Sequence, residues 1–323
     1  MKTNTLARLL ALVALGYTAT SVFAASLYPV IVKDRWGFVD KAGTLIVNPQ
    51  FDRADAFVAG FAAVRLGGNW GYVDANGKLA INPQFEAAGA FSEGNAAVKF
   101  GGRYGYVNNE GQYTINPQFD DAGPFANGRA AIKLKRLHGY TDKTGNLAIN
   151  PQFDDAAAFA EGLAAIELGG RWGYIDLTGK IVINPQFEKV GSFSEGLAAV
   201  RMGHRWGFID KTGKILINPQ FDDVHNFAKG LAPARVGKLW GYVDATGQLA
   251  INPQFDNADS FAEDLASVKI SGRWGFIDKS GKYAINPQFD EAAPFADGLA
   301  QVKIARRTGY VDATGKYIWN PTN

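Results

Sequence analysis

The chain has 323 residues, no cysteine, 33 Lys and Arg against 31 Asp and Glu, and three histidines. Without Lys2 and Arg8 in its first segment, acidic and basic residues balance at 31 each, which argues against a nucleic-acid binder, because that affinity comes largely from neutralising phosphates. With no disulfide available, stability has to come from packing.

Residues 1–24 read as a signal peptide, with Lys2 and Arg8 as the basic region, Leu9 to Leu15 as the apolar stretch, and Val22-Phe23-Ala24 before the cut. No cysteine stands at that cut to carry a lipid. The apolar stretch is shorter than the about 20 residues that span a hydrocarbon core, and no later stretch qualifies. The mature chain is therefore expected to be exported, periplasmic or secreted, without a transmembrane segment.

Residues 25–323 are expected to form one repeat domain of nine units. Asn-Pro-Gln-Phe begins at Asn48, Asn82, Asn116, Asn150, Asn184, Asn218, Asn252 and Asn286, always 34 residues apart, and Asn320-Pro321 closes the series. An aromatic-Gly or substituted pair keeps the same interval at Trp36, Trp70, Tyr104, His138, Trp172, Trp206, Trp240, Trp274 and Thr308. In one unit, Ala62–Leu66, Trp70–Asp74 and Leu79–Asn82 read as short strands separated by Gly67-Gly68 and Asp74–Gly77 turns. Pro83 is expected to end the third strand, and Phe85 to Gly94 to be a compact link anchored by Phe85 and Phe91. A fixed Pro and several Gly per unit exclude the paired helices of helical 34-residue repeats.

The fold expected is all-β: tandem three-stranded units stacked in an open solenoid, with a closed propeller-like ring as the alternative. A typical propeller blade has four strands, and three are counted here. Thr308 in the Trp slot and Trp319 in the slot of Ile285 read as adaptations to a missing neighbour.

The unit Trp172-Gly173-Tyr174-Ile175-Asp176-Leu177-Thr178-Gly179-Lys180, with Ile183, Pro185-Gln186-Phe187 and Phe193-Ser194-Glu195-Gly196-Leu197-Ala198, resembles the bacterial WG-repeat (KWG-repeat) family. The resemblance spans essentially the whole mature chain. It implies an all-β repeat module in bacterial proteins that are often exported or surface-associated. It implies no shared catalytic residue and no common activity.

The aromatics Trp36, Trp70, Trp172, Trp206, Trp240 and Trp274 are expected to form a structural ladder over the adjacent glycines. The column from Asp40 and Asp74 to Asp312 fits turn-opening aspartates better than calcium ligands. Arg65, Lys99, Lys133, Arg201, Arg235, Lys269 and Lys303 form a basic stripe, and the acids after each repeated Phe, from Asp52 to Asp290, an acidic one. Both read as solvated surface. His138, His204 and His225 fall in different phases of the repeat, and no zinc motif, nucleophile elbow or phosphate loop is present. No metal, cofactor or catalytic residue is therefore expected.

Binding residues are sought where the repeat breaks. Tyr104, Arg129, Lys133, Lys135, Arg136 and His138 are the candidates; Asp264 and Arg306-Arg307 are smaller departures. The function expected is a non-catalytic exported scaffold that binds an extended protein or glycan of the envelope or the extracellular space. The alternatives are a glycan-active hydrolase or lyase and a purely structural envelope protein.

Overall fold

In the second unit the pair Gly67-Gly68, with φ of 59° and 88°, forms a hairpin turn in the left-handed region. It joins Phe61–Leu66 to Asn69–Asp74 with Leu66 opposite Asn69. Asp74 opens the second turn: its carboxylate accepts the amides of Asn76 and Lys78, and Gly77 donates to its carbonyl. Leu79–Phe85 then pairs antiparallel with Asn69–Asp74.

Pro83 lies inside that last strand instead of ending it. Trp70 faces Phe85 and Tyr72 faces Ile81, so Asn82-Pro83-Gln84 is a bulge opposite Gly71. Proline is tolerated there because a bulge frees the strand from donating at every residue. The bulge also explains the Trp-Gly pair, since a Cβ on Gly71 would stand 2.4 Å from the carbonyl oxygen of Ile81 and 2.6 Å from the nitrogen of Pro83.

The computed structural model describes residues 27–322; the expected signal peptide at 1–24 lies outside them. The link contains one more strand than its sequence announces. Arg53–Ala54 pairs with Arg65 and Val64, giving the second blade four strands, and blades three to nine repeat the pattern. The first blade is described with three: Tyr28–Val32, Arg35–Val39 and Leu45–Phe51.

The nine sheets form a closed β-propeller, which corrects the expectation of an open solenoid. Tyr28, Val30 and Val39 of the first blade share one apolar cluster with Leu299, Tyr310, Ile318 and Trp319 of the ninth. The hydroxyl of Tyr310 donates to the carbonyl of Pro29 at 2.9 Å, and that of Tyr28 to the carbonyl of Asp297 at 2.8 Å. Trp319 therefore meets the first blade and is no mark of a missing neighbour. Buried side chains such as Tyr174, Ile183, Phe187, Phe193 and Val200 form a core between successive sheets. Each blade so supplies the apolar cover its neighbour lacks.

Two sets of polar contacts also join the blades. Glu93, at φ 50° in the turn before its hairpin, accepts the amide of Gly128 in the next blade and pairs with Lys143 at 3.1 Å. Glu161 repeats this with Gly196 and Lys211. The acids after the repeated Phe form the second set. Asp222 accepts the amide of Gly237 in its own blade and pairs with Arg205 of the preceding blade at 2.6 Å. The acidic stripe is therefore a row of turn caps and blade staples, not a plain solvated face.

Candidate binding surface

The sequence-derived candidates lie in two neighbouring blades. Tyr104 belongs to the third; it is half-buried, lies opposite Phe119, and has the Lys99 ammonium 5.6 Å from its ring centre. Arg129, Lys133, Lys135, Arg136 and His138 belong to the hairpin of the fourth blade, Arg129–Leu134 and Leu137–Thr141.

That hairpin separates them into two groups. Arg129 stands at the end near the Asn127-Gly128 turn, opposite Ala126. It occupies the slot of Leu163 and Leu197, with Nη1 donating to Gly128 and a buried Nε without a hydrogen-bond partner. Lys133 is four residues further along an extended strand, roughly 13 Å away. It faces Asp121 on one side and His138 on the other. Lys135 and Arg136 are exposed in the turn, where Lys135 takes φ 58° and its amide donates to Asp120.

His138, in the slot of a tryptophan, places Nδ1 3.0 Å from the carbonyl of Asp154 and 3.8 Å from a carboxylate oxygen of Asp155. With Lys133, Asp121 and Asp155 it lines a cleft of about 200 Å³ between the fourth and fifth blades. Lys133 and His138 thus line one cleft, Lys135 and Arg136 lie in the adjoining turn, and Arg129 stands apart from them.

The tryptophans flank the blade cores and form no buried stack. Trp36, Trp70, Trp172, Trp206 and Trp274 are half-buried, and Trp240 is buried. Trp70 has the Arg53 guanidinium 5.9 Å from its ring centre, and Trp240 has Arg235 at 5.8 Å and the His225 ring at 4.8 Å.

A further surface recurs in every blade and carries no motif of its own. The residue before each hairpin turn is apolar: Val32, Leu66, Phe100, Leu134, Leu168, Met202, Val236, Ile270 and Ile304. Because the position is equivalent in each blade, these side chains circle one rim of the ring. Phe100 is 51% exposed and Val236 45%, while Leu137 and Leu239 add exposed apolar surface on the far side of two turns. Alternation places Leu66 on the face of the buried Ala62 and Val64, so the column reads as core in the sequence; its place at the strand end beside the turn exposes it.

Burial pushes the hydroxyls of Tyr72, Tyr106, Tyr140, Tyr174 and Tyr242 up, and the displaced carboxylates serve the architecture too. The hydroxyl of Thr178 holds Asp176 below the usual carboxylate range, and Asp142, Asp210, Asp244, Asp278 and Asp312 are held down in the same way by their own Thr or Ser. Burial pushes Asp55 up, opposed by Arg53. Among the described residues no group of three His, Asp or Glu is placed to hold a metal ion, and no helix is long and apolar enough to cross a membrane.

The family model for the WG-containing repeat matches eight consecutive stretches: 36–70, 70–104, 104–136, 139–172, 172–203, 206–240, 240–274 and 274–305. The chain belongs to the WG-repeat family. No curated protein matches it. Among solved structures, a eukaryotic initiation factor aligns over 91% of this chain and 95% of its own at a TM-score of 0.65 and 12% identity. At that identity the likeness is one of fold. AztD from Citrobacter koseri aligns over 91% of this chain and 93% of its own, also at 12% identity, with a TM-score of 0.46. The WG repeat here thus builds a propeller blade, with the glycine set by the bulge and the tryptophan by the flank of the core.

Proposed function

We propose that this WG-repeat propeller is a non-catalytic scaffold, exported to the periplasm or beyond, that holds an extended protein against its hairpin rim. The observation that carries the reading is the recurrence of apolar side chains at the hairpin ends, of which Leu66, Phe100, Leu168, Met202 and Val236 are exposed. Exposed apolar surface favours contact with another macromolecule, and equivalent side chains at regular spacing favour a partner that is itself long or repetitive. Of the two partner classes, protein is favoured over glycan. The rim carries mainly aliphatic side chains, whereas sugar rings are met by flat aromatic faces, and Phe100 alone supplies one in that column. The group Lys133, Lys135, Arg136 and His138 lies on the same rim and supplies local positive charge. Replacing Leu66, Phe100, Leu168 and Met202 together with serine is expected to abolish retention of envelope proteins by the immobilised protein, with the melting temperature unchanged. Retention equal to the parent would reject the rim as the contact surface.

One observation favours a glycan-active reading instead. Asp52, Asp55 and Asp297 line a cleft where the ninth, first and second blades meet, and Asp55 is the carboxylate held high by burial. Asp52 is already committed to Arg35 and to the amide of Gly67. Turnover of a peptidoglycan or polysaccharide substrate that Asp55→Asn abolishes would establish this second reading.

A further inference from the structure

The two ends of the blades differ in charge, although the chain from residue 25 onward balances. Slots 52–54 and 64–70 of the second unit and their equivalents, which make up the hairpin side, hold 20 Lys or Arg and 14 Asp or Glu. The remaining slots, toward the aspartate turns, hold 11 and 17. The asymmetry is steepest at the hairpin tips. The nine four-residue tips, from 32–35 at 34-residue intervals to 304–307, carry 11 basic side chains and one acid, Asp34.

The acids behind the tips do not cancel this charge evenly. Arg35, Arg103, Arg205 and Arg273 each pair with the capping aspartate of the next blade. From the fourth blade to the seventh that pattern breaks. Leu137 and Leu239 fill the arginine slot, and Glu188 turns to Arg201 of its own blade at 3.0 Å, which leaves Arg171. Lys135, Arg136, Arg171 and Lys238 are exposed and have no ion pair among the described residues. The same four tips expose Leu137, Leu168, Met202, Val236 and Leu239 and contain no acid. Bases and apolar side chains are thus mixed along one arc of the rim.

Charge and chemistry together select among anionic partners. The acids that a second copy would offer are committed: Asp142, Asp176 and Asp210 hold their own turn amides, and Glu93 and Glu161 hold the next blade's amides and lysines. A lipid surface is met by Trp and Tyr at its interface, and the tips contain neither. An extended chain bearing free carboxylates and aliphatic side chains matches both features of the arc. We infer that the hairpin tips of the fourth to seventh blades take an extended acidic segment of a partner protein, its carboxylates on those four bases and its aliphatic side chains between them. The inference rests on the rim being the contact surface and adds the partner's charge and the arc it occupies. Exposed ion pairs are individually weak, so the attraction governs partner choice and speed of encounter more than raw affinity.

The test titrates the purified protein into a dye-labelled peptide of repeating Glu-Leu-Glu-Ser, with a Lys-Leu-Lys-Ser peptide as its counterpart, and reads anisotropy. The acidic peptide is expected to bind and the basic one not, with affinity falling as salt shortens the range of the attraction. Replacing Lys135, Arg136, Arg171 and Lys238 together with serine should weaken binding roughly tenfold, the sum of four modest pairs. Replacing Lys180, Lys214, Lys282 and Lys316, exposed bases at the aspartate-turn end, changes the net charge equally and should leave binding as in the parent. Equal weakening in both variants, or no binding of the acidic peptide, overturns the inference. Capture of phosphatidylglycerol vesicles, or self-association in sedimentation, with the peptide unbound overturns it in favour of a lipid surface or a second copy. Retention of envelope proteins separates this inference from the reading beneath it. Retention that survives serine at Leu66, Phe100, Leu168 and Met202 rejects the rim itself; retention lost there but unchanged in the four-base variant rejects only the acidic partner.

Discussion

The hydroxyl of Tyr310 donates to the carbonyl of Pro29 at 2.9 Å, linking two residues 281 apart in sequence across the ninth and first blades. Beside it, the rings of Tyr28 and Tyr310 meet edge-on at 5.4 Å. Burial pushes the Tyr28 hydroxyl up to about 12, helped by Asp297 and Glu263, so it remains protonated and able to donate at neutral pH.

Closure predicts a graded response at Tyr310. Phenylalanine already fills this column at Phe38, Phe208 and Phe276, so Tyr310→Phe should remove two hydrogen bonds, to Pro29 and from Gln301, at a cost of about 1–3 kcal/mol. Tyr310→Ala should cost roughly 3–5 kcal/mol through the cavity it leaves. Chemical denaturation of both variants reads the difference. Equal and negligible losses would mean that the junction is not formed in solution.

Two glycines separate steric crowding from backbone strain. A Cβ on Gly173 would lie 2.4 Å from the carbonyl oxygen of Ile183 and 2.6 Å from the nitrogen of Pro185, both backbone atoms that cannot swing aside. Gly162, at φ 86°, has nothing within 4 Å of the same point. Gly162→Ala should therefore cost only the left-handed conformation, roughly 1–2 kcal/mol. Gly173→Ala should cost more than 4 kcal/mol, about the level reserved for severe core disruption. Reversal of that order in thermal or urea melts would contradict the bulge as the reason for the Trp-Gly pair.

Acid should loosen the ring in a defined window. Burial raises Glu93 and Glu161, but hydrogen bonds from Lys143 and Lys211 and from the next blade's amides outweigh it and leave both carboxyls low. The six turn aspartates are low for the hydroxyl reason already given. A carboxyl that is lower in the folded chain than in the unfolded one contributes stability above the unfolded value, about 4, and loses it as pH falls through the folded value. Melting temperature should be flat from pH 7 to about 5 and fall below about 4. Replacing Lys143 and Lys211 with methionine should reduce the acid-dependent part of the fall. A melting temperature that holds steady down to pH 2.5 would contradict this assignment.

Much of the blade was legible because its signals are local. The turn aspartates, the glycine pairs and three strands per unit follow from residues a few positions apart. The fourth strand escaped because two residues, such as Asp155-Ala156, are too few to show alternation. Pro83 misled because proline reads as a strand end, and only the pairing of Trp70 with Phe85 reveals a bulge. Ring against stack depends on a small rotation between units summed nine times, which no single residue encodes. Trp319 carried the closure signal, and it was legible only once its neighbours across the seam were known. At the candidate surface, charge clustering in sequence grouped Arg129 with Lys133, although an extended strand holds them at opposite ends of a hairpin.

The charged group on the rim makes its own prediction. Replacing Lys133, Lys135, Arg136 and His138 together with serine removes side chains that are exposed or half-buried, so stability should change by less than about 1 kcal/mol. Partner retention should weaken, and the remaining binding should lose part of its salt dependence. Retention and salt dependence equal to the parent would show that the apolar rim alone makes the contact.

Hydrogen–deuterium exchange across the ring, with and without a co-purified envelope protein, tests the rim most directly. The account predicts partner-induced protection at the hairpin ends, residues 66–69, 100–103, 134–137 and 168–171, with the Asp74–Gly77 turn and its equivalents unchanged. Protection confined to those aspartate turns, or to Tyr28, Asp55 and Tyr310 at the seam, would contradict it.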